Sequence, residues 1–430
     1  MLEIIDGRDA RTPVHIPRPR AARGAAEPDG TVRAIVEAVR SRGDEALIEL
    51  TDRHDRVRLT PDRIRVEPEI IEKAPSLVPP EFVDALEVMA ARLRRTCERQ
   101  MPREWIEDDG DEFSGELVRP LRRAGIYAPG GRYPYPSSVV MAAVPAQVAG
   151  VTGIAVCSPP GLGGEIPDVI LTACRVLEID EVYRLGGAQA IAALAYGTQS
   201  VRPVEKIVGP GNIFVTLAKR QVSGWVGIDG DAGPTEIAIV ADATADPQET
   251  AADLVAQAEH GPLGTHALIT WEASLAEAVL DALEPLVMAH PHPEEVENAL
   301  IEGGRAVLVH DLDHALETAN AFAPEHLQLV FPGAREALGK VRNAGSVFVG
   351  RYSPVPVGDY VGGTNHVLPT GASARWESGL AVRDFVKHIY VSGYERSALA
   401  RLAPHVEALA DAEGLHGHAR AVELRLSDEL

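Results

Sequence analysis

Between about residues 122 and 349, short apolar runs alternate with longer segments whose composition favours helices. Short runs rich in Val and Ile are typical of buried strands, and the longer segments between them are typical of helices. The predicted strands are 125–128, 152–157, 181–184, 205–208, 237–241, 266–270, 305–309, 327–330 and 346–349. The predicted helices between them are 137–149, 166–177, 189–196, 213–222, 246–259, 273–289 and 312–322. This alternation predicts an α/β fold, and the run is long enough for two parallel sheets.

The segments that flank this region are less regular. Before it, the sequence predicts two helices over 31–54 that break at Arg42-Gly43, and a longer helix over 79–100. After it, residues 353–366 carry several Pro and Gly residues, which argues against regular structure, and an ordered loop of this length usually carries function. The last predicted elements are helices at 378–388 and 394–411 and a polar tail from Glu413.

Composition narrows the classes of protein that the chain can represent. A length of 430 residues indicates two or more domains. A formal charge of −22 repels phosphate backbones and argues against a nucleic-acid partner. The chain has three cysteines and no CxxC, and its beginning lacks the apolar core of a secretion signal, so a cytoplasmic location is predicted. The apolar run 139–157 is interrupted by Pro145 and by glycines, which predicts a buried helix and strand and no membrane partner.

Three glycine-rich turns follow predicted strands. They are Pro129-Gly130-Gly131, Gly186-Gly187 and Gly209-Pro210-Gly211, and each leaves backbone N–H groups near the start of a helix. None is a GxGxxG, and the chain has no GxxxxGK[ST], so each turn alone is as consistent with a tight connection as with a nucleotide site. Ligands of parallel sheets bind beyond the carboxyl ends of strands, where Tyr127, Gln189 and Asn212 are expected. The three glycine-rich turns in series predict that the protein binds a dinucleotide.

The segment Ala323-Pro324-Glu325-His326-Leu327 places a carboxylate next to an imidazole where a helix ends and a strand begins. Pro324 disfavours helical geometry at the residue before it, so the helix is expected to stop there. Neighbouring residues on an extended segment point in opposite directions, so Glu325 and His326 are expected to serve different substrate atoms or different steps. Taken alone, such a pair is more often a surface or capping feature.

Three other clusters offer metal-ligand side chains near the ends of elements. Gln257 and His260 lie three residues apart at a predicted helix C-terminus, whose partial negative charge suits a cation. Asp359 and His366 share the long loop, and His416 and His418 share the tail; these ligand types suit zinc. Any one pair is more often structural. A zinc hydrolase that uses Glu325 on a metal-bound water and a non-enzymatic metal-binding or scaffold protein both remain open.

Assembled in order, these strings resemble the histidinol dehydrogenase family, from about residue 30 to the end. The matching stretches are Tyr127-Ala-Pro-Gly-Gly, Gly186-Gly-Ala-Gln-Ala-Ile-Ala-Ala-Leu-Ala-Tyr-Gly-Thr, Gly209-Pro-Gly-Asn, Ala232-Gly-Pro-Thr-Glu, Gln257-Ala-Glu-His-Gly, Pro324-Glu-His-Leu, Gly358-Asp-Tyr-Val-Gly-Gly-Thr-Asn-His-Val-Leu-Pro-Thr and Glu413-Gly-Leu-His-Gly-His. The resemblance implies oxidation of L-histidinol to L-histidine with two NAD. The chain departs from the usual pattern at Thr235, Ala142, Gln147 and Phe214. A related zinc and NAD dehydrogenase of another small polyol or amino alcohol is the alternative.

The resemblance also implies a role for each matched residue. Glu325 and His326 would be the catalytic acid–base pair. The implied zinc ligands are Gln257, His260, Asp359 and His418. The implied substrate-binding residues are Thr235, Gln257, His260, His326, Asp359, His366, Glu413 and His418, and the implied NAD-binding residues are Tyr127, Gln189 and Asn212.

At the level of architecture, the resemblance implies a domain-crossed homodimer with one Zn²⁺ per subunit. Each subunit would have two incomplete Rossmann-like domains with parallel sheets and two small, mainly helical accessory domains. The expected division is an accessory segment at 1–25, a first α/β domain that holds zinc at 26–125 with 237–375, an NAD-binding α/β domain at 126–236, and a helical domain at 376–430. The tail of this last domain would reach the partner subunit.

Overall fold

The structure, a computed structural model, describes residues 1–19, 28–131, 133–161, 163–230 and 233–427. Contact density divides the chain into two units. The first unit comprises Met1–Gln100 and Arg122–Phe385, and the second comprises Met101–Leu121 and Val386–Leu430. The four-part division expected from the sequence stays a prediction, and residues 20–25 of its first segment lie outside the described residues.

The chain forms parallel and antiparallel sheets connected by helices. The strands are β1 (Glu3–Asp6), β2 (Trp105–Asp108), β3 (Glu112–Pro120), β4 (Arg123–Tyr127), β5 (Gly153–Ser158), β6 (Glu181–Arg184), β7 (Lys206–Val208), β8 (Gly227–Ile228), β9 (Glu236–Ala241), β10 (Thr265–Thr270), β11 (Gly304–Leu308), β12 (His326–Val330), β13 (Ser346–Val349) and β14 (Val386–Tyr394). The helices are α1 (Asp29–Arg42), α2 (Asp44–His54), α3 (Pro68–Lys73), α4 (Pro80–Gln100), α5 (Pro136–Ala149), α6 (Asp168–Val176), α7 (Gly187–Tyr196), α8 (Ile213–Val222), α9 (Pro247–Ala258), α10 (Ala273–Ala289), α11 (Pro293–Gly303), α12 (Leu312–Phe322), α13 (Val355–Tyr360), α14 (Arg396–Glu413) and α15 (His416–Leu426).

The larger sheet of the first unit has the order β1-β11-β10-β9-β12-β13, and its strands are parallel. Helices cover both faces, so β9 is buried on both sides and reads as a continuous apolar run. Ile237 and Ile239 pack into one core with residues of α9 and α10, while Ala238 and Val240 pack into another with residues of α12. The chain proceeds from β9 to β11 toward one edge and then returns with β12 on the other side of β9.

The smaller sheet of the first unit has the order β6-β5-β4-β7-β8, and it is also parallel. The chain proceeds from β4 to β6 and then returns with β7 beside β4, so this sheet has a switch point as well. Helices α1 and α2 share a core with α7 and α8 on one face. The guanidinium of Arg184 is fully buried and bonds the carboxylates of Glu67 and Glu165 at 2.7 and 2.6 Å, which fixes the preceding segment against β6.

The second unit contains an antiparallel sheet with the order β14-β3-β2, together with helices α14 and α15. The helix expected at 378–388 is wrong, because residues from Val386 onward form β14. Nine residue pairs join β14 to β3. The partner strand lies about 270 positions away in the sequence, and the local composition of 378–388 gave no sign of it.

The parallel α/β architecture is confirmed, and three further local predictions change. Helix α11 was missed. The loop at 353–366 contains the short helix α13, because two prolines occupy its first turn, where no N–H is required. The polar tail forms helix α15. The run 139–157 folds as predicted into α5 and β5, and no helix within the described ranges has the length and apolarity needed to cross a membrane.

Candidate active site

A cavity of about 790 Å³ in the first unit is lined by residues from both parallel sheets. It gathers ten residues that the sequence singled out. From the elements of the larger sheet come Thr235, Gln257, His260, Glu325, His326, Asp359 and His366, and from those of the smaller sheet come Tyr127, Gln189 and Asn212. The motif that begins at Ala232 enters the described part of the chain only at its second residue.

The two sheets present opposite edges to this cavity. In the smaller sheet, the cavity lies beyond the carboxyl ends of β4, β6 and β7, as the rule for parallel sheets predicts. In the larger sheet, Thr235 immediately precedes β9 and Glu325 immediately precedes β12, so the amino edge lines the cavity. The sequence predicted the carboxyl-end positions of Tyr127, Gln189 and Asn212 and the position of Glu325 at the start of a strand, but it did not predict that opposite edges of two sheets face one cavity.

The carboxylate of Glu325 is buried and held by two donors. The Thr235 hydroxyl donates to Oε2 at 2.7 Å, and the backbone N–H of Glu236 donates to the same oxygen at 3.0 Å. The Gln257 side-chain amide donates in turn to the Thr235 hydroxyl oxygen. Burial raises the pKa of Glu325 to about 7, so this carboxyl group is placed to exchange a proton near neutral pH.

A turn and an ion pair fix the position of Glu325. Helix α12 ends at Phe322, and Ala323 terminates it in a left-handed conformation with φ of 52°, which is uncommon outside glycine but frequent at helix ends. The guanidinium of Arg18 donates to the Phe322 carbonyl at 2.7 Å and to both carboxylate oxygens of Glu236. The N-terminal segment therefore ties the end of α12 to the start of β9, on either side of Glu325.

His326 lies beside Glu325 in the cavity, and the expectation that the pair points in opposite directions is wrong. His326 Nδ1 is 3.8 Å from Glu325 Oε2, because Glu325 precedes the strand and does not follow its alternation. Its Nε2 is 3.8 Å from Asp359 Oδ1, and neither ring nitrogen has a hydrogen-bond partner among the described residues. Burial lowers the pKa of His326 to about 4, so the ring is neutral and can accept a proton from a ligand.

Asp359 and His366 are joined by a hydrogen bond that fixes one tautomer. His366 Nδ1–H donates to the Asp359 carbonyl oxygen at 2.9 Å, which leaves Nε2 as a free acceptor. Burial lowers the pKa of His366 to about 4 and raises the pKa of Asp359 to about 6. A carboxylate enclosed beside neutral imidazoles in this way lacks a compensating positive charge.

These donors fit zinc, although the set is incomplete. Amide oxygen, imidazole and carboxylate are ligands that zinc accepts. Because the Gln257 amide nitrogen bonds Thr235, its carbonyl oxygen is the atom left for another partner. In the part of the chain that the structure describes, no three His, Cys, Asp or Glu side chains converge in a metal-binding arrangement. The cavity thus offers Gln257, His260 and Asp359 as donors of the types that zinc accepts.

At the smaller sheet, the turn after β7 is held from two sides. Gly209 has φ of 115°, which favours glycine, and its N–H donates to the Asp229 carboxylate at 2.7 Å. The buried ammonium of Lys219 bonds the Gly209 carbonyl at 3.2 Å and pairs with Asp229. Asn212 then caps α8, accepting at Oδ1 from the N–H groups of Phe214 and Val215 at 3.0 and 3.3 Å. Its amide nitrogen remains available to a ligand.

The start of α7 is organised by Tyr127. The backbone N–H of Gly187 donates to the Tyr127 hydroxyl oxygen at 3.1 Å, and burial raises the pKa of this hydroxyl to about 12. Gln189 is buried in the first turn of α7, and its amide nitrogen lies 3.5 Å from the carboxylate of Asp55. Sequence reasoning missed Asp55, which follows α2 and belongs to no motif. In the structure, the residue that follows it, Arg56, has a left-handed backbone with φ of 58°.

Glu413, His416 and His418 belong to the second unit, and all three are exposed there. Glu413 is the last residue of α14, and His416 and His418 lie in the first turn of α15. The cavity of the first unit is lined by residues of that unit only. The cavity therefore brings together ten of the twelve implied catalytic, zinc-binding, substrate-binding and NAD-binding residues, and the other two, Glu413 and His418, lie in the second unit.

Two parallel sheets around a cavity with a buried carboxylate–imidazole pair define an α/β enzyme equipped for acid–base chemistry. Residues 18–426 match the family described as histidinol dehydrogenase. A histidinol dehydrogenase of Moorella thermoacetica is 45% identical over 426 residues, covering 99% of this chain and 100% of that protein. One from Parasynechococcus marenigrum is 44% identical over 399 residues, covering 93% of this chain and 91% of that protein. The chain therefore belongs to the histidinol dehydrogenase family.

The fold agrees with this assignment. The crystal structure of histidinol dehydrogenase from Elizabethkingia anophelis superposes with a TM-score of 0.93 at 33% sequence identity, covering 99% of this chain and 98% of that one. The resemblance inferred from the sequence motifs is thus confirmed at the level of family and fold.

Proposed function

We propose that the protein catalyses the NAD-dependent, zinc-requiring oxidation of L-histidinol to L-histidine through L-histidinaldehyde, the last steps of histidine biosynthesis. The observation that carries this proposal is the buried Glu325–His326 pair, which lies in one cavity with three glycine-rich turns at helix starts. Membership of the family supplies the substrate. Three buried, unpaired cysteines support a reducing, cytoplasmic setting.

For zinc, the proposed ligands are Gln257, His260 and Asp359 of one subunit and His418 of the partner subunit. Support comes from the donor types that the cavity gathers, an amide oxygen, an imidazole and a carboxylate, and from an exposed histidine on the C-terminal segment. The proposed assembly is a homodimer with shared sites. Thr235, His366 and Glu413 complete the proposed substrate contacts, with Glu413 contributed by the same tail as His418.

When bound, zinc would orient the substrate through its imidazole and amine, and NAD would accept the hydride. His326 takes the proton of the substrate hydroxyl in the first oxidation, since its ring nitrogens are neutral and unpaired. Proton transfer by a positioned base contributes about 10²–10⁴-fold to the rate. The NAD end of the cavity is assigned to Tyr127, Gln189 and Asn212, where the starts of α7 and α8 favour phosphate.

The second oxidation begins with water. Thr235 and the Glu236 N–H hold Oε2 of Glu325, so Oε1 is the oxygen available to a water molecule. Glu325 accepts a proton from this water as the water adds to the aldehyde, and His326 accepts the next proton as the hydrated aldehyde is oxidised. Retention of the aldehyde in the cavity between the two steps would limit its reaction with bulk water.

NADH stoichiometry tests the reaction. With L-histidinol as the limiting substrate and excess NAD, we expect two NADH per histidinol and L-histidine as the product. Release of one NADH with free aldehyde, or a preference for another amino alcohol, would contradict the proposed reaction. Peptide cleavage without any NADH would instead indicate a zinc hydrolase.

Subunit mixing tests the shared site. His260→Ala removes a ligand from the body and His418→Ala removes one from the tail, so each homodimer should be inactive. With crossed tails, one of the two sites in each mixed dimer is wholly wild-type, so an equal mixture should regain about a quarter of wild-type activity. If tails serve their own subunits, every site keeps one lesion. Mixed dimers confirmed by mass that stay inactive would refute the shared site.

A further inference from the structure

Asp55 is a carboxylate that the proposed mechanism does not use, although it lines the same cavity. It directly follows α2, and its Oδ2 lies 3.5 Å from the side-chain nitrogen of Gln189. A Cβ built on Gly186 would lie 3.4 Å from its Oδ1. The carboxylate therefore faces the amino end of α7, between the helix start and the open cavity.

Among the residues that the structure describes, no ion pair reaches this carboxylate. Of the arginines close to it in sequence, Arg53 pairs with Glu49 and Arg58 pairs with Asp52. Within the described ranges of the chain, the long contact with Gln189 is the only hydrogen bond to the Asp55 side chain. Burial alone raises the pKa of Asp55 to about 6. A half-buried acceptor that lacks donors in this way is suited to donors that a ligand brings.

The position of Asp55 is fixed by packing. Leu47, Leu50 and Val57, on either side of it in the sequence, are buried in the core shared with α7. The next residue, Arg56, has φ of 58°, a left-handed conformation that is uncommon outside glycine and clusters at functional sites. The carboxylate is thus held toward the cavity by the turn that ends α2.

We propose that Asp55 accepts hydrogen bonds from the ribose hydroxyls of the bound dinucleotide and thereby selects NAD over NADP. An ionised carboxylate only accepts, and the vicinal hydroxyls of a ribose offer two donors. A phosphate on the same ribose would instead meet a negative charge in a half-buried place. This inference rests on the proposed dinucleotide-dependent function and names a specificity residue within that site.

Other dinucleotide-binding folds also bind a ribose through a carboxylate, but from a different position in the fold. In doubly wound sheets an acidic side chain of the sheet itself often binds the ribose. Here the carboxylate directly follows α2, a helix that packs against α7. No motif spacing in the sequence therefore reveals it. The purely structural alternative is that Asp55 only balances the partial positive charge at the start of α7. That role would affect folding but would not distinguish the two dinucleotides.

Binding measured by fluorescence titration with NADH and NADPH separates these roles without requiring turnover. Asp55→Asn keeps the size and removes the charge. We expect its Kd for NADH to rise roughly tenfold to a hundredfold, the loss expected for a charge-assisted hydrogen bond, and its Kd for NADPH to stay constant or fall. The matched control is Asp52→Asn, three residues earlier on α2, whose exposed carboxylate pairs with Arg58. It should change neither value.

Thermal unfolding shows that each variant is folded, and NAD and NADP are compared as substrates in parallel. If Asp55→Asn weakens both dinucleotides equally, or weakens neither, the proposed selection is refuted. The proposed function fails in a different way, because the wild-type protein would then bind neither NADH nor NADPH. Failure of the Asp55 assignment alone leaves wild-type NADH binding intact.

Discussion

The two parallel sheets of the first unit differ in the edge that each presents to the shared cavity. The larger sheet presents its amino edge, where helices α9 and α12 end, and the smaller sheet presents its carboxyl edge, where α7 and α8 begin. A helix carries about half a negative charge at its end and half a positive charge at its start. The wall formed by the larger sheet, here called the first wall, therefore favours cations. The second wall, formed by the smaller sheet, favours phosphate.

The side chains follow the same division. Glu325 and His326 on the first wall are buried, Asp359 there is partly buried, and all three have raised or lowered pKa values. On the second wall Gln189 and Asn212 are neutral, and Asp55 is a carboxylate that faces Gln189. Proton transfer requires groups that change charge, whereas neutral amides can bind a cofactor without exchanging a proton. Because opposite sheet edges face it, one cavity can carry out proton transfer at one wall and bind the cofactor at the other.

Removing a donor from the first wall should have the largest effect. We expect Gln257→Ala, His260→Ala or Asp359→Ala to lose both zinc and turnover, because each change removes one of the proposed zinc ligands. Metal analysis of the purified variants measures this. Glu259→Gln is the control, because this exposed neighbour pairs with His290 outside the donor set and should keep its zinc. A fully loaded and active His260→Ala protein would contradict the assignment.

Changing the acid–base pair should slow chemistry by about 10²–10⁴-fold and spare the metal. In single-turnover NADH traces, His326→Asn should slow both oxidations. Glu325→Gln should form the first NADH at the normal rate and the second more slowly, because Glu325 acts only when water adds to the aldehyde. Two NADH equivalents at the normal rate from Glu325→Gln would show that Glu325 does not activate the water.

On the second wall, Asn212 combines a helix cap with the proposed cofactor contact, and two variants separate them. Asn212→Asp keeps the acceptor that caps α8 and loses the amide donor, so NADH binding should weaken about tenfold with unfolding unchanged. Asn212→Ala loses both and should cost about 1 kcal/mol of stability as well. Equal NADH binding by Asn212→Asp and wild type would remove Asn212 from the cofactor site.

The smallest expected effect is on stability and depends on pH. The pKa of Asp55 rises from 3.8 to about 6 on folding, so the folded state binds this proton more tightly. Stability is therefore lost as the pH rises from about 4 to about 6. Asp55→Asn should match wild type at pH 3.5 and exceed it at pH 7.5 by about 1 kcal/mol, after allowance for partial exposure. Denaturant unfolding at both pH values measures this, and an equal difference at both would contradict it.

What could be predicted from the sequence depended on local signals. Pro324 marked the end of α12, and glycines and Asn212 marked the starts of helices, because turn and cap chemistry is local. Strand β14 was mistaken for a helix because its partner β3 is remote in sequence. The position of Glu325 at the start of β12 was predicted, but its contact with Thr235 at the start of β9 was not, because that contact depends on how β12 returns beside β9.

The most direct test of the division between the walls is to measure NADH affinity and turnover in the same two variants. Glu325→Gln should bind NADH like wild type and lose overall turnover, while Asn212→Asp should bind NADH about tenfold more weakly and regain its turnover at saturating NAD. If Glu325→Gln loses NADH affinity as much as Asn212→Asp does, or if saturating NAD does not restore Asn212→Asp, the two walls do not have separate roles.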